Sequence, residues 1–472
     1  MPLILPGNVA SATASTSYDV ANSCRFNDAD SAYLSKTFGT DGTSMDIGTF
    51  SVWLKRSRPG NEDVIFSGGG SDRDFIRFES DDTLSFRRSS GTTYRVSTNR
   101  VFRDPTAWYN FVFAWDTTQG TASNRVKFYV NGVQETSFGT ATYPAQNQDL
   151  EFGANSVCTV GKDASQPTVF GGYMTEVFYI DGTQYAASNF GEYDSDSPSI
   201  WKPKDCKDDL TFGTNGFYLD FEDSGDLGDD ESGNGNDFAE NNLAATDQTT
   251  DTCTNNFAVW NPLTNRDAGN GTWTEGNLRV VASTGDMSRY CTLPIPLNFK
   301  FYFEVKVPQA TAQNGCALTT IHDPSGARNK VGENNGYGWK FRGAAAKVQY
   351  YNNGSVTNHG TNNVSNDGIV GFAVDTANGR MHMHIDGTYL DSSDPTDNDP
   401  NSVVTGFSTT VIQYLSMSMD TSGTTEPINE FNFGNPVHSI SSGNADANGY
   451  GNFEFAVPSG YLALCTKNMA DF

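Results

Sequence analysis

The sequence predicts an all-β protein made of two large antiparallel β-sandwiches, and two observations support this. Short segments with alternating apolar and polar residues recur along most of the 472 residues, and each ends in Gly, Asn or Asp, as strands entering hairpin turns do. The composition suits such strands, because 32 Phe, 20 Tyr and 7 Trp provide bulky apolar surface while 47 Gly provide turns. Helical periodicity is nearly absent, and its best candidate is one turn within residues 184–193.

The first sandwich is predicted over residues 25–223. It follows residues 1–24, which carry no charge before Asp19 and are predicted to form an extended N-terminal arm that docks on another component. The strand-like segments of this sandwich are GTFSVWLKRS (48–57), DFIRFES (74–80), TLSFRRSS (83–90), WYNFVFAWD (108–116), RVKFYVNG (125–132) and MTEVFYIDG (174–182).

A connector is predicted over residues 224–270, where the chain becomes acidic and rich in Gly and Asn. Such a stretch is too polar to form a core of its own. We expect it to be extended and held in place by a few apolar side chains, namely Phe238, Leu243, Phe257 and Trp260.

The second sandwich is predicted over residues 271–440, and residues 441–472 are predicted to pack back as a C-terminal segment. The strand-like segments are NLRVVAST (277–284), FKFYFEVKVP (299–308), YGWKFRG (337–343), KVQYYNNG (347–354), DGIVGFAVD (367–375), GRMHMHIDG (379–387) and VIQYLSMSM (411–419).

The two predicted sandwiches share one hairpin. FAWDTTQGTASNRVKFYVNG (113–132) and FAVDTANGRMHMHIDG (372–387) both begin F-A-x-D-T and close on an Asn-Gly or Asp-Gly corner after an alternating strand. The polar turn is four residues shorter in the second copy. Both halves are therefore predicted to use the same strand, turn and return strand.

The second copy contains His382-x-His384-x-Asp386, which raises the question of a metal site. In an extended strand these three side chains share one face, and paired imidazoles at this spacing can bind a metal. However, Gly387 occupies the place of the next histidine of the metallo-hydrolase pattern, and the first copy carries Lys and Tyr at the matching positions. We therefore predict a polar, solvent-side face of the hairpin and no metal.

Charge and cysteine content exclude several classes of function. The formal charge of −26 arises from 56 acidic and 30 basic residues without a basic cluster, so nucleic acid and anionic membranes are not expected partners. Seven widely spaced cysteines indicate neither a disulfide framework nor a zinc knuckle, and we expect free, mostly buried thiols. A signal peptide and a membrane-spanning run are not evident, so synthesis in the cytoplasm and no membrane insertion are expected.

The first region resembles the laminin-G-like or concanavalin A-like lectin sandwich. The resemblance is carried by FSVWLKRS, WYNFVFAWDTT with NRVKFYVNGV, and VGKDASQPTVFGGYMTEVFYIDGTQY, and it covers most of residues 30–220. The second region, about residues 275–420, resembles the SPRY domain through YFEVKV, GYGW and VGFAVDTANGRMHMHIDGT. Both resemblances imply concanavalin A-like (jelly-roll) antiparallel sandwiches.

A third resemblance concerns the connector and the C-terminal segment. LGDDESGNGNDF (227–238), DQTTDTCTNNFAVWNPL (247–263) and YGNFEFAVPSGYLALCTKNM (450–469) are similar to segments of structural proteins of tailed bacteriophages, especially marine ones, although that group commonly has Pro where Cys253 stands. The resemblance implies a virion component: a tail fibre, a head fibre or a decoration protein.

No motif for catalysis stands out, so no catalytic residue is predicted. Glycosidases on concanavalin-like folds carry an acidic triplet on one strand, whereas this chain offers only pairs such as Asp220 with Glu222 and Glu192 with Asp194. Nucleophile elbows and phosphate loops are also missing from the sequence. A glycan depolymerase is kept as an alternative hypothesis.

Two kinds of binding site are considered. Two acidic loops could offer oxygen ligands to calcium, as some lectin-like domains do, although a soluble turn is the simpler interpretation. Their candidate ligands are Asp223, Asp226, Asp229, Asp391, Asp394 and Asp397. A glycan would need exposed aromatic rings on loops at the sandwich edge. The candidates are Trp339, Tyr337, Tyr350 and Tyr351 in the second region and Tyr94 and Trp108 in the first.

Taken together, the sequence predicts a non-enzymatic virion structural protein with lectin-like loops for attachment to a host surface or glycan. A dedicated glycan or receptor adhesin is the alternative. The expected partners are other virion proteins through the N-terminal arm, further copies of the chain, with a trimer favoured, and a host glycan. Calcium is the one cofactor considered.

Overall fold

The computed structural model describes residues 18–89, 93–264, 270–284, 287–310, 314–319, 336–341, 348–353, 355–359, 363–397, 404–419 and 426–470. The chain divides into two compact units, Met1–Thr254 and Asn255–Phe472. Residues 1–17, most of the predicted arm, lie outside the described residues. Among the described residues no helix has the length and apolar character needed to cross a bilayer.

Unit 1 is built of short strands, as the alternating segments predict. In the described residues these are β1 (Ser23–Phe26), β2 (Tyr33–Thr37), β3 (Ile47–Arg56), β4 (Asp63–Gly69), β5 (Arg73–Phe78), β6 (Thr83–Arg88), β7 (Arg95–Val101), β8 (Tyr109–Asp116), β9 (Val126–Val130), β10 (Val133–Glu135), β11 (Phe138–Thr142), β12 (Val157–Val160), β13 (Gly172–Asp181), β14 (Gly191–Tyr193), β15 (Trp201–Pro203), β16 (Phe217–Leu219), β17 (Ala239–Asn241) and β18 (Gln248–Thr249). The predicted helical turn is a 3-10 turn, Ala187–Asn189.

These strands form two large antiparallel sheets and one small one. The first sheet has the order β10-β9-β8-β3-β13-β1-β18, with β16 also paired to β13. The second sheet has the order β11-β7-β6-β5-β4-β12-β2-β17, and β14 pairs with β15 in a separate hairpin. Consecutive strands often lie far apart in a sheet, as in a jelly-roll sandwich.

The core of unit 1 lies between the two large sheets. Alternation along β8 buries Phe111, Phe113 and Trp115 in one apolar cluster. Phe50 of the first sheet stacks on Phe66 of the second, with ring centroids 4.4 Å apart. Each fully buried ring of this kind stabilises the fold by roughly 1.5–3 kcal/mol.

The predicted connector, 224–270, is not a separate segment, because the boundary between the units falls within it, after Thr254. Its first part belongs to unit 1, where β17 pairs with β2, β18 pairs with β1, and Phe238 joins the core. Two of the segment's acidic residues pair with cations of the first sheet. Asp251 forms a buried ion pair with Lys55 of β3, and Asp247 lies 3.7 Å from the Arg25 guanidinium of β1.

Unit 2 is also made of strands. In the part of unit 2 that the structure describes they are β19 (Asn270–Thr274), β20 (Arg279–Thr284), β21 (Met287–Tyr290), β22 (Lys300–Gln309), β23 (Asn314–Thr319), β24 (Gly336–Lys340), β25 (Val348–Asn352), β26 (Ser355–His359), β27 (Gly368–Asp375), β28 (Arg380–Ile385), β29 (Thr388–Tyr389), β30 (Val404–Thr405), β31 (Tyr414–Met419), β32 (Ile428–Asn432) and β33 (Leu462–Ala463), followed by the short helix α1 (Thr466–Met469).

Unit 2 likewise contains two large sheets. One has the order β19-β20-β32-β22-β27-β28-β29, with β30 beside β28 and β33 parallel to β22, and the other has the order β21-β31-β23-β24-β25-β26. The C-terminal segment packs on the first of these sheets through Phe453, Tyr461 and Cys465, which form an apolar cluster with Tyr302 of β22.

The hairpin shared by the two halves is confirmed. Phe113 of β8 faces Phe128 of β9, and Phe372 of β27 faces Met383 of β28, as the sequence alignment requires. The corners also agree. Asn131 and Asp386 have φ angles of 48°, and each side chain accepts a hydrogen bond of 2.8 Å from a backbone N–H of the preceding strand.

The prediction that the polar face of β28 lies toward solvent is wrong. His382 and His384 are both buried, because the C-terminal segment covers this face. Burial lowers the pKa of His384 to about 4, so its imidazole is neutral. Its Nε2 is 2.7 Å from the Tyr302 hydroxyl, which in turn donates to Glu304. Asp386 is a corner residue, as the pattern predicts.

Candidate functional site

A cavity of about 440 Å³ lies beside the shared corner of unit 1. We call it the corner cavity and define it by six of the residues that line it, namely Tyr129, Ser188, Glu192, Tyr193, Trp201 and Lys204. Its volume is within the range of small-ligand sites, and it combines aromatic surface with a few polar groups.

The floor of the corner cavity is the indole of Trp201, which two glycines enclose. A Cβ added to Gly132 would lie 2.4 Å from this ring, and one added to Gly191 would lie 2.7 Å from it. Gly132 also has φ 78°, which other residues rarely adopt. The Trp201 Nε1–H donates to the Asn110 side-chain oxygen at 3.0 Å. The indole is therefore fixed in position before any ligand arrives.

One wall of the cavity is the hairpin of β14 and β15. Tyr193 is directly opposite Trp201 in this hairpin, and the two rings meet edge to face with centroids 5.0 Å apart. Tyr193 is 45% exposed, which is unusual for a large apolar side chain in this protein. Packing against a fixed indole holds the Tyr193 ring in place while leaving part of it accessible.

Tyr129 and the charged residues complete the site. Tyr129 is half-buried on β9, and burial raises the pKa of its hydroxyl, so it stays protonated at neutral pH. Glu192 is opposite Lys202 in the hairpin, so its carboxylate, 3.4 Å from the Lys202 ammonium, lies on the face away from Tyr193 and Trp201. Lys204 and Ser188 also line the cavity, so the site offers hydroxyl and ammonium groups beside aromatic rings.

The corresponding place in unit 2 is filled by the protein itself. A Cβ added to Gly387, the counterpart of Gly132, would lie 2.8 Å from the Phe455 ring. Phe455 also packs against His384, with ring centroids 5.1 Å apart, and the Phe455 N–H donates to Glu304 at 2.8 Å. The C-terminal segment thus occupies in unit 2 the space that remains open in unit 1.

Three of the aromatic residues predicted to bind glycans are buried, so they cannot contact a sugar at the surface. Trp339 donates from its Nε1–H to the Met381 carbonyl, and Trp108 donates to Asp251 under the segment that follows the first sandwich. Tyr94 stacks on Phe86 in the core. The two tryptophans bury apolar surface and satisfy their indole N–H groups internally.

The other three predicted aromatics, Tyr337, Tyr350 and Tyr351, are half-buried on β24 and β25. The structure does not bring them together into one platform. Tyr350 contacts Trp339 on one face of the sheet, while Tyr351, its neighbour in the strand, points to the opposite face and donates to Gln349.

Calcium binding by the acidic loops stays a prediction. Among the described residues no three Asp, Glu, His or Cys side chains converge as metal ligands would. Asp223 and Asp226 accept hydrogen bonds from backbone N–H groups two residues further on, and Asp394 does the same with Thr396. Asp391 lies 3.2 Å from His359. These carboxylates stabilise turns.

Asp229 and Asp397 are both exposed. The loop of Asp229 is organised around its neighbour Asp230, which is buried and accepts hydrogen bonds from the backbone N–H groups of Tyr218, Ser232 and Asn236. Hydrogen bonds from these backbone groups to the Asp230 carboxylate therefore hold the loop.

The residues of the corner cavity were not predicted from the sequence. In the sequence Tyr129 stands out only as the counterpart of His384, and Glu192 only as one of a pair of carboxylates. A usable signal was present, because Tyr193 and Trp201 lie in a polar stretch after the last strong strand, where a core residue is less expected. Their approach to Gly132, about 60 residues earlier, depends on the tertiary fold.

Comparison with known proteins agrees with this fold. Residues 28–183 match the family described as the concanavalin A-like lectin/glucanases superfamily. A search of curated proteins gave no match. The chain is also similar to solved structures at low identity, three of which are described next, and the fold assignment rests on the sheets and the family match.

The first is a heptameric SAP-like pentraxin from Limulus polyphemus, with 15% identity, a TM-score of 0.28, and coverage of 36% of this chain and 80% of that one. The second is domains LG4-5 of the mouse laminin alpha1 chain, with 10% identity, a TM-score of 0.30, and coverage of 96% and 90%. The third is the SPRY domain of human HERC1, with 9% identity, a TM-score of 0.25, and coverage of 36% and 96%.

The protein is thus an all-β chain with a concanavalin A-like, laminin G-like fold, and its family match covers residues 28–183 of the first unit.

Proposed function

We propose that the protein is a non-enzymatic carbohydrate-binding protein and that the corner cavity of unit 1 is its glycan site. The observation that carries the proposal is the half-exposed Tyr193 ring held against the fixed Trp201 indole. An aromatic face packs on the apolar face of a pyranose, and the nearby Ser188 and Lys204 can bind its hydroxyl groups. The family match over residues 28–183 supports a lectin-like role.

A glycan array with the purified full chain tests this proposal. Tyr193→Ala is expected to weaken binding of the glycans found on the array by about tenfold or more, because truncating an aromatic anchor typically costs over 1 kcal/mol. Tyr193 is half-exposed and lies outside the core cluster of unit 1, so the variant is expected to remain folded, as thermal unfolding would show. Titration calorimetry with the best glycan measures the change.

Tyr351→Ala is the matched control, since Tyr351 is an aromatic residue on a strand of unit 2 that sequence reasoning favoured. It is expected to bind as the wild type does. Loss of binding in Tyr351→Ala with retention in Tyr193→Ala would place the site in unit 2 and contradict the assignment. Release of reducing ends from the bound polysaccharide would contradict the non-enzymatic part of the proposal and favour a depolymerase.

A narrower role is proposed from the resemblance of residues 227–238, 247–263 and 450–469 to bacteriophage structural proteins. In this role the chain is a virion component and its glycan site serves attachment to a host. Its N-terminal arm would contact other virion proteins, and it would form a symmetric oligomer, with a trimer favoured. Mass spectrometry of purified virus particles whose genome encodes this chain tests the role. Absence of the chain from those particles would contradict a role as a virion component.

A further inference from the structure

A second cavity, separate from the corner cavity, lies on the second sheet of unit 1. It has a volume of about 280 Å³ and is lined by Arg87, Arg88, Arg95, Thr93 and Thr142, among others. Three of these residues form one row across the sheet, because Arg87 of β6 pairs with Arg95 of β7, and Arg95 pairs with Thr142 of β11. Residues opposite each other in this way share a face.

The guanidinium groups of this face outnumber the carboxylates beside them. Arg77, Arg87 and Arg95 all lie within 3.3 Å of Glu79, and Arg77 is also paired with Glu62. Three cations therefore share two carboxylates. Glu79 is buried beneath the arginines, and their proximity, together with a hydrogen bond from Ser85, lowers its pKa to about 2 despite burial. Glu79 remains ionised at any ordinary pH.

Arg87 and Arg95 keep hydrogen-bonding capacity for a ligand. Arg87 uses one Nη1–H on Glu79 at 3.2 Å, and its Nε is buried without a hydrogen-bond partner among the described residues. Arg95 donates from Nε to Ser97 at 2.8 Å, and its side chain is 39% exposed. Arg88 differs, because its guanidinium already donates two hydrogen bonds to Asp74 and one to the Asp149 carbonyl.

We propose that this arginine cavity binds an oxyanion, a sulfate or a carboxylate, through Arg87 and Arg95. A guanidinium presents parallel N–H donors that match two oxygens of such a group. Thr93 and Thr142 add hydroxyl groups at the edge. The chain as a whole carries a charge of −26, which repels polyanions, so capture of an anion requires a local arrangement such as this one.

The test uses the full chain and four probes: inorganic sulfate, a sulfated oligosaccharide, a uronic acid oligosaccharide and a neutral oligosaccharide of the same length. Saturable binding of at least one acidic probe, but not of the neutral one, is expected in titration calorimetry. Binding of inorganic sulfate alone would identify the free ion as the ligand, and binding of the oligosaccharides alone would identify an acidic group carried on a glycan. Failure of every acidic probe to bind would overturn the proposal.

Substitutions then locate the site. Arg95→Gln is expected to weaken binding about tenfold or more, because hydrogen bonds to charged groups are among the strongest that side chains make. Arg77 remains beside Glu79 in this variant, so the fold is expected to survive, as thermal unfolding would show. The double variant Arg87→Gln/Arg95→Gln is expected to abolish binding.

Arg103→Gln is the matched control, since Arg103 is an exposed arginine of the same unit that pairs with Asp82 and does not line the cavity. It removes the same charge and is expected to leave affinity within about twofold. An equal loss in Arg103→Gln and Arg95→Gln would show a general charge effect and overturn the proposal, as would unchanged binding in the double variant. The corner cavity shares no lining residue with this one, so Tyr193→Ala separates the two proposals.

Discussion

Many polar side chains of this protein are buried, and Glu176 is an example with a strongly shifted pKa. It lies at a bulge of β13 with φ 51°, a conformation that costs energy in a residue other than glycine. Its Oε1 accepts hydrogen bonds from Tyr218 at 2.8 Å and from Tyr18 at 3.2 Å. Tyr18 is the first described residue of the chain, so this carboxyl group binds the start of the described part of unit 1.

Burial raises the pKa of Glu176 to about 8 from 4.5. The folded state therefore keeps a proton that the unfolded state has already released between these two pH values. Stability is greatest on the acid side of this window, falls as the pH rises from about 4.5 toward about 8, and changes no further above it. The expected slope is about 1.4 kcal/mol for each pH unit.

Glu176→Gln is expected to remove this slope, because an amide does not titrate. Urea unfolding at about pH 6 and about pH 9 measures the change in unfolding free energy for the wild type and for the variant. Subtracting one change from the other leaves the contribution of Glu176, because all other titrating groups are common to both proteins. Glu222→Gln, at an exposed glutamate of the same unit, is the control and is expected to follow the wild type. Equal pH dependence in Glu176→Gln and the wild type would contradict the assignment.

At the scale of elements, the segment after β16, residues 220–254, adds one strand to each large sheet of unit 1, and we call it the strap. Its Asp251 pairs with Lys55, whose ammonium also lies 4.6 Å from the centre of the Tyr173 ring. Burial lowers the pKa of Lys55, and Asp251 opposes that shift. Asp247 and Asp251 of the strap therefore neutralise cations that strands β1 and β3 present.

Asp251→Ala is expected to lower the free energy of unfolding by roughly 3–5 kcal/mol, because it leaves the Lys55 ammonium buried without its carboxylate. Chemical denaturation measures this loss. Asp229→Ala, in the same segment but exposed, is expected to change stability by less than about 0.5 kcal/mol.

The double variant Lys55→Met/Asp251→Leu is expected to recover most of the stability, since apolar residues can replace a buried ion pair. A small effect of Asp251→Ala alone would show that the strap is held by other contacts.

At the scale of the whole molecule, the boundary after Thr254 indicates which residues unit 1 requires in order to fold. A chain ending at residue 223, where composition alone places the end of the first sandwich, would lose β17 and β18. It would also lose the core residues Leu227 and Phe238 and the partner of Lys55. Unit 1 therefore extends through the strap.

We expect the chain 1–254 to fold as a cooperative unit and the chain 1–223 to fail to do so. The loss of two large core side chains costs roughly 2–5 kcal/mol each, which approaches the stability of a typical domain. Circular dichroism and thermal unfolding of the two fragments measure this. Equal cooperative unfolding of both would show that the strap is dispensable.

The sequence by itself determined the all-β fold, the two halves and the hairpin they share. These follow from local signals, since alternation fixes which side chains of a strand share a face, and Asn-Gly or Asp-Gly fixes the corner. Asn131 and Asp386 were therefore predictable as corner residues from the chain alone.

Only the tertiary structure decided which polar faces are open. His384 and Tyr129 occupy the same place in equivalent hairpins, yet Phe455 covers the first, while Trp201 and Tyr193 leave a cavity beside the second. The covering segments come from about 70 residues further along the chain in each case, and alternation carries no information about what packs over a face. For the same reason, Trp108 and Trp339 proved to be core residues, and Arg87 and Arg95 were brought together by strand register.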